Sequence, residues 1–211
     1  MAAGKRATYA PDGTLLSGVE VTLPYSGQRF GVPANLDIYG TMNTADRSIA
    51  LLDLALRRRF QFEELVPIPA AVTGKTGDGR IDDDDGDQID LRQLLDVMNK
   101  RITHLLHRDQ TIGHSYLMPV RNFAALRRAL AREIIPLLQE YFYDDWERIR
   151  LVLADDTVPA EHQLVRAKSV SAQDLFFGSV EGVTEATIHY TVTPELEITP
   201  EMVRKIYERS E

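Results

Sequence analysis

The sequence predicts an α/β fold with a parallel sheet and flanking helices, followed by an α-helical subdomain and a short carboxyl-terminal β/α segment. Three observations predict it: an apolar run ahead of an amphipathic helix within residues 36–58, helical periodicity over residues 91–153, and strand-like alternation near residue 186. The predicted organisation is a partial α/β core at residues 1–69, an acidic flexible loop at 70–88, a helical part at 89–160 and an extension at 161–211.

Composition excludes several classes of protein. The 211 residues are 44% hydrophobic, which is enough to build a core. No apolar run approaches the roughly 20 residues that cross a bilayer, and no apolar stretch follows the first charges as in a signal peptide. The absence of cysteine excludes disulfides and thiolate metal sites, and it fits a reducing compartment, so we expect a cytoplasmic protein with no membrane partner. A net charge of −8 argues against general nucleic-acid binding.

The first part of the chain alternates turns with short apolar runs. Residues 19–23 predict a short strand or hairpin arm, and residues 36–42 predict a buried strand that ends at Asn43. A helix is predicted from about Asp46 to Arg58, because apolar residues recur there at helical spacing: Ile49, Leu52 and Leu56. Residues 60–66 predict a second strand, which two prolines close.

Residues 70–88 combine glycines with a run of aspartates, a composition that predicts a solvated loop. A calcium loop is excluded, because alignment on Gly86 puts Ile81 where the first acidic ligand is needed. The segment at residues 73–76, Thr-Gly-Lys-Thr, lacks the earlier glycine of a phosphate-binding loop, since position 69 is proline. The chain therefore shows no Walker A pattern.

Helices follow the acidic segment. The apolar residues of 91–106 follow the 3.6 period, and Asp90 with Gln93 forms a plausible capping box. A second helix is predicted over residues 122–133, and Pro136 either starts a third or kinks a continuing one. Residues 137–153 supply one apolar helical face, with Trp146 in the core. A strand at 186–192 and a short helix at 200–208 are predicted to close the chain.

Four segments carry a family resemblance. Residues 40–60 resemble the signature region of the McrB family, the GTP-hydrolysing AAA+ subunits of McrBC modification-dependent restriction systems. Residues 112–117 and 134–150 resemble the helical lid of that family, and residues 1–30 resemble the segment that follows its Walker B strand. The resemblance implies the carboxyl-terminal part of an AAA+ module, because the Walker A loop, the Walker B strand and the amino-terminal DNA-reading domain of the family are not in this sequence.

The resemblance also implies roles for individual residues. Asn43 would be sensor 1, and its amide suits holding a water against a γ-phosphate. Asp46 either caps the following helix or orients Asn43 and Arg47. Arg59, then Arg58, is expected to act as an arginine finger toward a neighbouring subunit, although the dipole of a helix also favours cations in its last turn. Contacts between subunits or with a partner are expected for the two remaining arginines, Arg47 and Arg57.

In the predicted lid, residues 113–115 occupy the region where related proteins place sensor 2. Gly113 would allow close approach of a nucleotide, and His114 or Ser115 would contact its base or phosphates; an ordinary helix start explains the same residues. Spacing of three residues between His104 and His107 is a weak metal pattern without further ligands, so no metal site is predicted.

The family implies GTP or ATP with Mg²⁺ as the cofactor, bound mainly by an upstream half, and assembly into a hexameric ring. Its partners would be a McrC-like endonuclease and DNA, the latter through an amino-terminal domain. The expected function is GTP or ATP hydrolysis that powers DNA translocation and activates the endonuclease in restriction of modified DNA. The chain alone is expected to be inactive. The alternative is a non-catalytic assembly or interaction module derived from an AAA+ protein.

Overall fold

The computed structural model describes residues 6–41, 60–171 and 186–208. The chain divides into two compact units, residues 1–65 and residues 66–211, and the second is a mixed α/β unit with most of the buried residues. In the described part of the chain, no helix combines the length and the apolar character needed to span a membrane.

The first unit contains two small antiparallel hairpins. Strands β1 (Thr8–Tyr9) and β2 (Leu15–Ser17) form one of them, and β3 (Glu20–Thr22) pairs with β4 (Arg29–Gly31) in the other. An isolated parallel bridge joins Ala7 to Pro33. The hairpin arm predicted at residues 19–23 is therefore present as β3.

The predicted parallel sheet is not confirmed in the described residues. Neither residues 36–41 nor residues 60–66 are assigned to a strand, so the structure differs from both strand predictions. A strand needs a neighbour to satisfy its backbone groups, and no partner strand lies along these two segments within the described residues. Their apolar side chains remain largely exposed: Leu36, Ile38, Phe60, Phe62 and Leu65.

The acidic segment of the second unit contains a defined hairpin. Strands β5 (Arg80–Asp82) and β6 (Gln88–Asp90) pair around a turn in which the Asp83 carboxylate accepts hydrogen bonds from two amides of the turn, each at 2.9 Å. Asp83 also pairs with Arg204, and the adjacent Asp84 pairs with Arg127. Burial raises the pKa of Asp83, but these hydrogen bonds outweigh burial and leave it below its ordinary value.

The glycine-lysine turn ahead of β5 closes on the hairpin itself. Gly74 has a φ of +61°, and a Cβ atom there would lie 2.4 Å from the Arg80 carbonyl oxygen. Lys75 pairs with Asp82, and the Thr76 hydroxyl donates to Asp78 at 2.9 Å. Both side chains are therefore engaged within the turn and the adjacent β5 strand.

Helix α1 (Leu91–Leu105) begins where β6 ends. The Asp90 carboxylate accepts from the amides of Arg92 and Gln93 at 3.0 and 2.9 Å, so the predicted cap is confirmed. The capping box is incomplete, because the Asp90 amide donates to the Tyr207 hydroxyl at 3.4 Å. The buried face of α1 is the predicted one: Leu91, Leu94, Leu95, Met98 and Ile102.

The next helical segment is continuous but changes its winding. Helix α2 (Phe123–Ala129) begins at Asn122, whose side chain accepts from the Ala125 amide at 2.9 Å. A π-helical turn (Leu130–Ile134) follows, and helix α3 (Ile135–Phe142) continues directly from it. Pro136 lies in the first turn of α3, where its missing N–H removes one α-helical hydrogen bond and favours the altered winding before it.

The single helical face predicted over residues 137–153 is divided between two helices. Tyr143 and Asp144 have φ angles of 51° and 60°, which end α3. Helix α4 (Trp146–Val152) then begins at Asp145, whose side chain accepts from the Arg148 amide at 3.2 Å. Trp146 is only partly buried and stacks on Tyr190, with 6.1 Å between ring centroids.

The carboxyl-terminal extension is a long hairpin and a short helix. Strand β7 (Val165–Ser171), which the sequence did not predict, pairs antiparallel with the predicted β8 (Ala186–Val192) over seven residues. Helix α5 (Pro200–Arg204) is shorter than predicted and ends in a turn. Residues from α1, α4, β7 and α5 share one core, which includes Leu95, Met98, Ile149, Val152, Val165, Met202 and Val203.

A buried ion pair joins three segments of this unit. Asp155 follows α4, and its carboxylate accepts from the amides of Leu164 and Val165 at 2.8 Å each. Lys205, just after α5, pairs with the same carboxylate and donates to the His162 carbonyl at 2.7 Å. The two side chains are 0% and 8% exposed, respectively. Burial raises the pKa of Asp155 and lowers the pKa of Lys205.

We expect Lys205→Met to lower the free energy of unfolding by about 3 kcal/mol at pH 7, because it leaves the buried Asp155 carboxylate without its counter-charge. Urea denaturation measures the loss. Since burial raises the pKa of Asp155, the folded state takes up a proton more readily than the unfolded chain. The deficit of Lys205→Met relative to the unsubstituted protein should therefore shrink as the pH falls from about 7 to about 5.

Two controls accompany this prediction. Adding Asp155→Asn to Lys205→Met removes the unpaired charge and should recover much of the loss. The exposed pair of Lys100 and Asp96, with 2.6 Å between charged atoms, gives the surface reference, and Lys100→Met should change the free energy of unfolding by less than about 0.5 kcal/mol. A deficit that is independent of pH would contradict the interpretation.

Candidate functional site

The structure describes the predicted lid residues but not the predicted catalytic residues. The residues of the signature segment all lie outside the described part of the chain: Asn43, Asp46, Arg47, Arg57, Arg58 and Arg59. Their roles as sensor 1, arginine finger and contact residues therefore stay predictions. The predicted lid residues, Gly113, His114 and Ser115, are all described.

Residues 113–115 form a tight turn between α1 and α2. Gly113 precedes a short 3₁₀ helix (His114–Tyr116), and the Leu117 amide closes the turn on the His114 carbonyl at 3.1 Å. Gly113 has a φ of −66°, an angle that any residue adopts. The backbone conformation therefore does not require glycine here, and a Cβ atom would lie 3.3 Å from the Ser115 hydroxyl.

The His114 side chain contacts a segment far away in sequence. Its Nδ1 accepts a hydrogen bond from the Ile68 backbone amide, with 3.2 Å between the two nitrogens. Ile68 stands immediately before the short 3₁₀ helix Pro69–Ala71, near the start of the second unit at Val66. His114 thus ties the beginning of this unit to the turn between its first two long helices.

A second side chain fixes the same turn from α1. Asn99 donates from Nδ2 to the Ile112 carbonyl at 2.9 Å and accepts at Oδ1 from the Ile112 amide at 2.7 Å. One amide side chain therefore satisfies both backbone groups of the residue two positions before His114. Sequence reasoning missed Asn99 and Ile68, because a side chain bonded to a distant backbone group leaves no pattern in residue type or spacing.

The turn offers hydrogen-bond donors in a partly exposed position. Because Nδ1 of His114 accepts, the proton of the neutral ring is on Nε2, which is then a donor. The hydroxyl of the exposed Ser115 can donate as well. Such donors suit the oxygen atoms of a phosphate or a base. Among the described residues, no group of three or more His, Asp or Glu side chains is arranged to hold a metal ion.

The helical region of the second unit is similar in sequence to a known family of domains. Residues 90–150 match the family described as McrB, alpha-helical lid domain. That range covers α1 to α3 and most of α4, together with the turn that holds His114. The helical part of the second unit is therefore similar to the alpha-helical lid domain of McrB.

One curated relative extends the similarity. The chain is 34% identical over 143 residues to the Type IV methyl-directed restriction enzyme EcoKMcrB subunit of Escherichia coli strain K12. The aligned region covers 59% of this chain and 30% of the relative, so the chain spans less than a third of that protein's length. The resemblance to McrB is confirmed by these two matches, and the chain is McrB-like.

Two glycines of the second unit should respond differently to alanine. Gly113→Ala should leave the free energy of unfolding within about 0.5 kcal/mol, because φ is negative and the new Cβ would lie 3.3 Å from a Ser115 hydroxyl that can rotate. Gly74→Ala should cost about 1–3 kcal/mol, because φ is positive and backbone atoms lie in the way. Urea denaturation of both variants measures the difference, and equal losses would contradict this assignment.

Proposed function

We propose that the chain contributes the sensor 1 residue, the arginine finger and the lid of a McrB-like AAA+ nucleoside triphosphatase. The observation that carries the proposal is the lid match over residues 90–150, supported by the 34% identity to a McrB subunit. Residues 36–42 and 60–66 would become strands of a parallel sheet only in a complete module, where neighbouring strands pair with their backbone groups. GTP or ATP with Mg²⁺ is the cofactor, and most of its contacts come from a phosphate-binding half that this sequence lacks.

The signature segment supplies groups for the γ-phosphate. Asn43 holds the attacking water as sensor 1, since its amide both donates and accepts hydrogen bonds. Asp46 caps the next helix or orients Asn43 and Arg47. Arg59, with Arg58 as the second candidate, reaches the nucleotide of the neighbouring subunit and neutralises charge that develops in the transition state. The two remaining arginines, Arg47 and Arg57, contact a neighbouring subunit or the partner nuclease.

The lid closes on the nucleotide through residues 113–115. Their partly exposed donors suit phosphate or base oxygens, and Gly113 leaves room for a close approach. Hydrolysis in a hexameric ring drives translocation on DNA and activates a McrC-like endonuclease, in restriction of modified DNA in the cytoplasm. The printed name of the E. coli relative, a methyl-directed restriction enzyme subunit, supports this context. DNA is bound through a separate amino-terminal domain.

The 211-residue chain alone should hydrolyse neither GTP nor ATP measurably, because the sequence has no phosphate-binding loop to hold a triphosphate. Phosphate release from the purified chain with Mg²⁺ and either nucleotide measures this. A longer protein that includes the chain and a Walker A loop is the positive control. Turnover near 1 s⁻¹ by the chain alone, an ordinary enzymatic rate, would sink the proposal.

In such a longer protein, Arg59→Ala should lower GTP or ATP turnover by about 10³-fold. Rings assembled from two different variants distinguish an arginine finger that acts on a neighbouring subunit from one that acts within its own subunit. In a ring of Arg59→Ala and Asn43→Ala subunits, some interfaces combine an intact Asn43 with a neighbour's intact Arg59, so part of the activity should return. No recovery in the mixed ring would reject action across subunits, and unchanged turnover of Arg59→Ala would remove the finger assignment.

A second candidate function is a non-catalytic assembly or interaction module. The observation that favours it is the structure of residues 73–76, where Lys75 bonds to Asp82 of β5 and Thr76 bonds to Asp78 of the turn rather than forming a phosphate-binding loop. The genomic sequence ahead of Met1 discriminates between the two candidates. An in-frame phosphate-binding loop there favours the motor, whereas a stop codon favours the interaction module.

A further inference from the structure

One hydrogen bond near the start of the second unit joins Ile68 to the turn at residues 113–115. The residues just after Ile68 are held separately, since Val72 is fully buried and its carbonyl accepts from Nε of Arg92 at 2.9 Å. The second unit starts at Val66, and the Ile68 amide donates to Nδ1 of His114. The Ile68 side chain is 53% exposed, so its burial contributes little to holding this segment. The two bonded residues are 46 positions apart in sequence.

His114 is itself held in place through Asn99. The two hydrogen bonds from Asn99 to Ile112 fix the backbone two residues ahead of His114. Asn99 lies on α1, next to the fully buried Met98, and α1 is anchored in the core along its whole length. Contacts therefore run from the packed helix through Asn99 and Ile112 to His114, and from there to Ile68.

We propose that Asn99 and His114 are positioning residues that hold the Ile68 backbone against the turn at residues 113–115, and that a ligand of this turn can engage His114 only through Nε2. We call the hydrogen bond between the Ile68 amide and Nδ1 of His114 the joint bond. The proposal rests on the proposed function in one respect: that a nucleotide contacts the turn at residues 113–115. The positioning part stands on the described contacts alone.

The joint bond restricts the chemistry that His114 can perform. An imidazolium has protons on both nitrogens and cannot accept from the Ile68 amide. A neutral ring whose Nδ1 accepts can still donate from Nε2 to a phosphate or carbonyl oxygen. A ligand that takes the Nε2 proton as a hydrogen bond therefore leaves the joint bond intact, whereas a ligand that requires a cationic His114 breaks it. Ligand binding and the course of residues 66–68 are linked through one ring.

The direct test is nuclear magnetic resonance on the 211-residue chain. A scalar coupling between the Ile68 amide nitrogen and Nδ1 of His114 should be observed, because such couplings pass through hydrogen bonds. Amide exchange at Ile68 should become about three- to tenfold faster in His114→Leu, which has no acceptor. Most of the protection should remain in His114→Asn, whose Oδ1 occupies the place of Nδ1 along the side chain. Absence of the coupling, or equal exchange in both variants, would overturn the proposal.

Two further variants separate positioning from general destabilisation. Asn99→Ala does not touch Ile68, yet it should also speed Ile68 exchange, and combining it with His114→Leu should add little. His107→Leu is the matched control, because His107 is exposed and makes no side-chain cap. Exchange at the Ile135 amide, inside the core helices, serves as the reference for global stability. Because Asn99→Ala also leaves the buried Ile112 backbone groups unpaired, Ile68 exchange is compared in each variant relative to exchange at Ile135. If the effects of Asn99→Ala and His114→Leu on Ile68 exchange were fully additive, Asn99 would not act on Ile68 through His114, and the proposal would be contradicted.

The ligand part is tested in the longer protein. If Nε2 contacts the nucleotide, both His114→Leu and His114→Asn should raise KM for GTP or ATP, although only His114→Leu disturbs the joint bond. Unchanged KM in His114→Asn would reject the contact through Nε2. If the longer protein hydrolyses no nucleotide, the proposed function fails, while the coupling and exchange at Ile68 still decide the positioning role.

Discussion

The Asp155 carboxylate is the constraint on which the arrangement of the second unit depends. It lies where α4 ends, and it satisfies two backbone amides at the start of β7 as well as the ammonium of Lys205 after α5. A fully buried carboxylate is costly unless its oxygens are bonded, so the three segments must meet at this point. The long hairpin and the closing helix are thereby attached to the same core as the lid helices, although they follow the matched residues 90–150 in sequence.

Caps and hydrophobic periodicity predicted the fold correctly where the interacting residues are close in sequence. Asp90 and the period of α1 sufficed to place that helix, since the cap and the buried face belong to one element. The acidic hairpin and β7 were not predictable in this way. Asp83 is ordered by Arg204, 121 residues later, and β7 alternates only weakly without its partner β8. Strands expected at residues 36–42 and 60–66 require neighbours that the described residues do not provide.

In the candidate site, too, contacts between distant residues could not be predicted from the sequence. Residues 113–115 were singled out by resemblance, because related proteins place sensor 2 in this region, and the structure describes them as a turn. Nothing in the sequence pointed to Ile68 or Asn99, since the first contributes only its backbone amide and the second bonds to backbone alone. The signature residues, from Asn43 to Arg59, were identified by resemblance, and the described part of the chain does not include them.

The π-helical turn compensates for the difference between the spacing of the buried residues, four, and the 3.6-residue period of an α-helix. Its segment buries a residue at every fourth position: Leu126, Leu130, Ile134, Leu138 and Phe142. In a regular α-helix, a spacing of four advances each side chain by about 40° around the axis, which would leave Phe142 about 160° from Leu126. The wider π turn at Leu130–Ile134 rewinds the stripe toward the core. An apolar spacing of four that is sustained over five positions and contains a proline, here Pro136, thus indicates a change of helical winding.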